Sequence, residues 1–247
     1  MLQSLLLFPM AFSDKHLFFD LDRTLWDFEA NSETALKHIL YTENLVEKTG
    51  SFEHFHEVYI QQNALLWKEY GEGKITKESL RYERFRLALL AFSITDEALI
   101  HRMGDAYVEI SPRQTKLFPE TIETLENLKK IGFNLHIITN GFQKVQFVKL
   151  ENSGIRNFFD IIVCSEFIGQ NKPSKAIFDF ALENAGAKAE KSLMIGDDYH
   201  ADISGSINAG MQAILFDPYK SSTYNYEWTI RELNEIPALA IQLLGTK

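Results

Sequence analysis

Five short apolar runs constrain this chain more than any other feature, because most of them lead directly into polar residues. They are His16–Phe19 (HLFF), Phe133–Thr139 (FNLHIIT), Ile161–Cys164 (IIVC), Ser192–Ile195 (SLMI) and Gln212–Phe216 (QAILF). Apolar runs of this length, bounded by turn signals, predict strands buried on both faces. After Pro112 they alternate with helical patterns at Glu120–Ile131, Phe142–Asn152, Ala176–Ala185 and Asp202–Ala209. Such alternation predicts a mostly parallel sheet with helices on both sides. From Glu29 to Ile110 the texture is different. Glu33–Leu45, Phe52–Tyr70, Lys77–Phe92 and Asp96–Ile110 carry apolar residues at three- and four-residue spacing, punctuated by Gly50, Gly71, Gly73 and Ser93. The His16–Phe19 strand belongs with the sheet, so the helical block is an insertion after it. The expected fold is therefore α/β, a doubly wound mostly parallel sheet with an inserted all-helical cap domain. Residues 13–27 and 111–247 form the core, 28–110 the cap, and 1–12 an N-terminal extension.

Composition narrows the function. With 247 residues, 45% of them hydrophobic and 24% charged, the chain has the balance of a globular protein and room for a core domain plus a smaller one. A net charge of −9 argues against a nucleic-acid polymer as partner, since that binding is largely phosphate neutralisation by Lys and Arg. A small phosphorylated metabolite stays open, because a divalent cation can supply the positive charge locally. Cys164 is the only cysteine, which removes an intramolecular disulfide and fits a reducing cytoplasm. It reads as a small buried residue at a strand end. Leu2–Phe12 is apolar but interrupted, too short to span a bilayer and without the basic segment that opens a signal peptide. A cytoplasmic protein with no membrane partner is expected, with Met10 an alternative start. The seven histidines show no ligand spacing and read as structural or solvated.

In open parallel sheets ligands bind beyond the carboxyl ends of the strands. Asp20-Leu21-Asp22-Arg23-Thr24 follows the first run, and Thr139-Asn140-Gly141 closes the second. Lys172-Pro173 comes a short loop after the third, and Gly196-Asp197-Asp198 follows the fourth, with Asp202 a turn further on. Carboxylates converging on one edge repel unless a cation lies between them. Oxygen ligands without His or Cys select Mg2+, which also bridges a substrate phosphate. An aspartate can then attack phosphorus, a second carboxylate two residues on can move protons, and Lys, Thr and backbone N–H groups can hold the remaining oxygens. Taken singly, each motif has a plainer reading. Asp-x-Asp makes turns, Lys-Pro opens helices, Gly-Asp ends strands, and Thr24 or Asp202 can cap a helix. The catalytic reading rests on the set.

DLDRT, IITNG, NKP and GDDYHAD, in this order, resemble the four motifs of the haloacid dehalogenase-like phosphatases, whose core is Rossmann-like. That resemblance implies Asp20 as nucleophile, Asp22 as general acid/base and Lys172 as the charge-stabilising lysine. It implies Thr24, Thr139, Asn140 and Gly141 as phosphate-binding, and Asp20, Asp197 and the Asp22 backbone carbonyl as Mg2+ ligands. Asp198 and Asp202 fall beyond these ligands, Asp202 orienting metal-bound water or Lys172. The stretches LLWKEYGEGKIT (Leu65–Thr76), ITNGF (Ile138–Phe142) and KPSKAIFDFALENAG (Lys172–Gly186) are similar to the house-cleaning pyrimidine 5′-nucleotidases. By that resemblance the substrate is a pyrimidine nucleoside monophosphate, with Phe142, Trp67 and Tyr70 as candidates to stack on the base, worth roughly 1–3 kcal/mol each. Trp67 and Tyr70 have cap core as their plainer reading, and Arg81 and Arg84 a solvated helix face. The alternatives are a sugar-phosphate or phosphoglycolate-type phosphatase on the same scaffold, and a catalytically silent binding module. A dehalogenase acting on carbon would have no use for a metal site.

Overall fold

In the computed structural model, which describes residues 12–245, every side chain of β1 (His16–Phe19) is buried. Successive strand residues point to opposite faces, and β1 feeds two cores. Leu17 and Phe19 pack with Leu135, Ile137, Leu193 and Ile195 on one side. Phe18 packs with Ile138, Met194, Ile177 and Phe178 on the other. A strand covered on both faces needs apolar residues at consecutive positions, which is why HLFF shows no alternation. β2 (Asn134–Thr139), β3 (Ile161–Cys164), β4 (Ser192–Gly196), β5 (Gln212–Phe216) and β6 (Thr229–Ile230) complete a six-stranded sheet of order β3-β2-β1-β4-β5-β6. Every neighbouring pair is parallel. The chain leaves β1 toward one edge through β2 and β3, then toward the other through β4, so the strand order reverses between β1 and β4. That switch point is where such sheets bind ligands.

The chain divides into two compact units, one running to Phe28 and resuming at Thr115, the other Glu29–Gln114. The second is helical, with α1 (Phe28–Thr42), α2 (Val46–Thr49), α3 (Phe52–Gly71), α4 (Lys77–Leu90) and α5 (Glu97–Ile110). Leu36, Phe55, Tyr59, Phe85, Leu89 and Met103 form its own core. Side-chain oxygens of Ser51, Thr76 and Asp96 accept the backbone N–H of His54, Ser79 and Leu99, capping α3, α4 and α5, each worth about 1 kcal/mol. Arg84 overturns its expected place on a solvated face. It is 7% exposed, its guanidinium lies 4.6 Å from the Tyr107 ring centroid, and its Nε donates to the Arg81 carbonyl at 3.3 Å. The reason is spacing: Leu80 and Ala88, four residues to either side, are buried on the same stripe of α4. Arg81 instead pairs with Asp105 at 2.5 Å near the surface.

In the sheet unit, α6 (Thr121–Ile131), α7 (Gln143–Asn152), α8 (Ser165–Ile168) and α9 (Lys175–Ala185) match the expected positions apart from α8, too short to register as a pattern. The helix expected over Asp202–Ala209 begins earlier, as a wide turn Tyr199–Ser204 running into α10 (Gly205–Asn208). Asp198 Oδ1 accepts the N–H groups of His200 and Ala201 at 2.8 and 2.9 Å, which fixes that start. The tail supplies two further elements, β6 and α11 (Ile236–Gly245). Ile236, Ala240 and Leu244 of α11, spaced four apart, join the core beneath the sheet. Cys164 is buried, as expected. His16 and His136 form a buried pair, Nδ1 to Nε2 at 3.0 Å with stacked rings. Apart from Phe12, which packs on Phe133 at 4.8 Å, the expected extension over 1–12 and the Met10 start lie outside the described residues. Among the described residues no helix is long and apolar enough to cross a membrane.

Candidate active site

The carboxyl ends of β1 and β4 lie side by side, so Asp20 and Asp197 are brought to the same edge by register alone. Phe19 pairs with Ile195, and the Asp20 N–H continues the ladder to the Ile195 carbonyl at 2.9 Å. Lys172 enters from the loop before α9, through a cis peptide bond to Pro173. Its ammonium is almost fully enclosed and donates to Asp20 Oδ1 at 2.5 Å, Asp202 Oδ1 at 2.6 Å and the Ile138 carbonyl at 2.8 Å. The second Asp202 oxygen accepts the Asp198 N–H at 3.1 Å. Gly196 makes this close approach possible: a Cβ there would lie 2.2 Å from Asp202 Oδ2.

Asp20, Asp197 and Asp202 each offer an oxygen within 4.8 Å of the others. One ammonium cannot balance three carboxylates, and the electrostatics register the deficit. Burial, reinforced by the charges of Asp202 and Asp22, pushes Asp20 up to about 7 despite Lys172. Burial likewise raises Asp197 well above the carboxylate range, with Asp20 and Asp202 adding to it. Asp202 is raised by burial too, against the opposing pull of Lys172. For Lys172, burial alone would lower the ammonium, but Asp20 and Asp202 outweigh it and hold it above its usual value. The donors are all hard oxygens and carry more negative charge than the side chains present neutralise. A divalent, oxygen-seeking cation fits this set. Asp202 belongs to the cluster although the sequence reading put it outside the ligands. Both its oxygens are engaged within the protein, whereas the Asp197 carboxylate accepts no hydrogen bond among the described residues.

Asp22 is held from a different direction. Its Oδ2 accepts from Gln146 Nε2 at 2.8 Å and its Oδ1 from Lys149 Nζ at 2.5 Å, both on α7. Neither partner stood out in the sequence, because 124 and 127 residues separate them from Asp22. Thr139 Oγ1 accepts the Gly141 N–H at 3.1 Å, shaping the turn after β2. The Asn140 side chain, expected to face phosphate, is committed elsewhere. Its Oδ1 accepts the Lys172 N–H at 2.8 Å and its Nδ2 donates to the Lys172 carbonyl at 3.1 Å. Asn140 thus fixes the backbone of the lysine whose ammonium sits beside Asp20. Among the described residues the buried Thr24 hydroxyl has no hydrogen-bond partner, and α1 begins only at Phe28, so Thr24 does not cap that helix. Asp198 is exposed and caps the turn at Tyr199. Phe142 is half-buried immediately before α7. Trp67 and Tyr70 belong to the helical unit, half-buried on α3 with ring centroids 5.8 Å apart.

Residues 17–216 match the sequence profile of the haloacid dehalogenase-like hydrolases. The pyrimidine 5′-nucleotidase YjjG of Escherichia coli is 32% identical over 230 residues, covering 90% of this chain and 96% of that protein. A ribulose-1,5-bisphosphate 5-phosphatase of Halopiger xanaduensis is 32% identical over 207 residues, covering 83% of this chain and 85% of that protein. Among solved structures, that of the HAD-hydrolase YfnB of Bacillus subtilis bound to magnesium superposes with a TM-score of 0.82 at 28% identity. The match covers 94% of this chain and 99% of that one.

Proposed function

We propose, for a chain that belongs to the haloacid dehalogenase-like hydrolases and is a phosphatase, that it is a Mg2+-dependent 5′-nucleotidase acting on pyrimidine nucleoside monophosphates with Asp20 as nucleophile. The observation that carries the reading is the Asp20 carboxylate, 2.5 Å from the Lys172 ammonium and grouped with Asp197 and Asp202 at the switch point of the sheet. Asp20, Asp197 and the Asp22 backbone carbonyl would hold Mg2+, which when bound would supply charge neutralisation between the attacking carboxylate and the phosphate oxygens. A carboxylate oxygen of Asp20 attacks phosphorus as the ester bond breaks, and Asp22 gives a proton to the departing 5′-oxygen. Asp22, then a carboxylate, takes a proton from water, whose oxygen attacks phosphorus, releases inorganic phosphate and restores Asp20. Lys172 and the Thr139 hydroxyl are assigned to the negative charge on the transferred group, the Gly141 N–H being taken by Thr139 Oγ1. Asp202 and Asn140 orient Lys172. Substrate choice is assigned to the helical unit, and Phe142 is the stacking candidate within the sheet unit. With Cys164 as its only thiol, the chain suits a reducing cytoplasm.

The nucleotide reading follows the Escherichia coli relative. The Halopiger relative, at the same 32% identity, keeps a sugar-phosphate phosphatase as the second reading. The test is phosphate release from a panel of nucleoside monophosphates and sugar phosphates, with Mg2+ and with EDTA. Metal-dependent release favouring UMP, dUMP or dTMP is expected. Preference for sugar phosphates would keep the chemistry and replace the substrate, and release undiminished by EDTA would remove the metal from the account.

A further inference from the structure

We infer that Gln146 and Lys149 are positioning residues that hold the Asp22 carboxylate for proton transfer, an inference resting on Asp22 as the acid/base. The two lie on one face of α7, three residues apart, and each takes one oxygen of Asp22, at 2.8 and 2.5 Å. Both are enclosed, Gln146 at 1% and Lys149 at 4% exposure, while Asp22 stays partly open. A carboxylate has about four lone-pair sites. Two are used by the clamp, and of the others one can carry the proton that Asp22 gives to the leaving oxygen and later takes from water.

The surroundings are shaped to this clamp. The Lys149 ammonium sits 4.2 Å from the ring centroid of Trp26, a fully buried side chain. Trp26 in turn ties back to the Asp22 turn, its carbonyl accepting the Arg23 N–H at 2.9 Å. Gly141 is explained by the same arrangement. A Cβ at that position would fall 1.6 Å from Gln146 Nε2, so the glycine keeps open the space through which the amide reaches Asp22. Burying a lysine is a poor way to gain stability, since desolvation consumes most of what the ion pair returns. Holding a proton-transfer group within a few tenths of an ångström is a better reason, because small displacements in such groups cost large factors in rate.

The test combines Lys149→Met and Gln146→Met, singly and each in an Asp22→Asn background, with p-nitrophenyl phosphate as the phosphomonoester and Mg2+ present. Each single variant is expected to lose about 10- to 100-fold in kcat, with KM within about threefold. In the Asp22→Asn background neither substitution should lower turnover further, because the group they position is gone. Lys149→Arg, which keeps the charge, should recover most of the loss, and it carries the comparison if Lys149→Met fails to melt cooperatively. Losses that multiply on the Asp22→Asn background, or single variants with wild-type kcat beside an impaired Asp22→Asn, would overturn the clamp alone. Wild-type turnover in Asp22→Asn would overturn the acid/base reading and the clamp with it.

Discussion

At the scale of single residues, the chain places ionisable groups where water is scarce and then compensates them unequally. Lys172 is compensated by two carboxylates. Asp197, raised by burial and by Asp20 and Asp202, has only the charges of Arg23 and Lys172 acting against that. The His16–His136 pair is buried, with the Asp160 carboxylate acting on both rings against the larger effect of burial. Burial and the neighbouring His16 hold His136 down at about 4, below the ordinary 6.5. A histidine whose folded value is depressed stabilises the fold fully above 6.5 and loses that contribution as pH falls toward about 4, because the unfolded chain binds the proton first. The interval corresponds to roughly 3 kcal/mol at ~1.4 kcal/mol per tenfold. Unfolding free energy measured in urea from pH 7.5 to 4.5 should therefore fall more steeply for the wild type than for His136→Gln. Parallel profiles would mean that His136 carries no such linkage. The grouping of Asp20, Asp197 and Lys172 was legible from sequence, because Asp20 and Asp197 come directly after apolar strands and Lys172 a loop beyond a third. The partners supplied by helices were not legible. Gln146 and Lys149 read as polar positions on an ordinary helix until the sheet brings α7 over the β1 loop.

At the scale of elements, the strands deliver side chains and the glycines at their ends make room for them. Gly196 closes β4 with a backbone angle open to any residue, so its role is steric. An added Cβ would meet Asp202 Oδ2 at 2.2 Å and Asp202 Cβ at 2.6 Å. Gly196→Ala should push Asp202 off Lys172 and destabilise the protein by about 2–4 kcal/mol, the range set by overpacking and by a broken buried pair. Urea denaturation checks this, and an unchanged midpoint would show that the strand end can yield at no cost. Most elements long enough to show a period were foreseen to within a few residues, but α1 starts at Phe28, five residues before the expected Glu33. β6, with two residues, is too short to show one. α11 does carry apolar residues four apart, but nothing in the sequence says that they close the sheet's underside. Arg84 was misread for a related reason: a charged residue on an apolar stripe follows the stripe.

At the scale of the whole molecule, one parallel sheet gathers residues from both ends of the chain at its switch point. A separate helical unit is inserted after the first strand. That division was legible because the hydrophobic period changes from strand–helix alternation to continuous helix at the insertion. The account as a whole turns on the assignment of Asp20, which is pinned by β1, faces Lys172 and lies within the acidic cluster. The most direct test is phosphate release by Asp20→Asn with Mg2+ and the best substrate of the panel, with thermal unfolding recorded on the same sample. The account predicts turnover reduced by at least about 10³-fold in a protein that still unfolds cooperatively, as expected when a covalent nucleophile is removed. A folded Asp20→Asn variant that keeps turnover within about tenfold of wild type would contradict it.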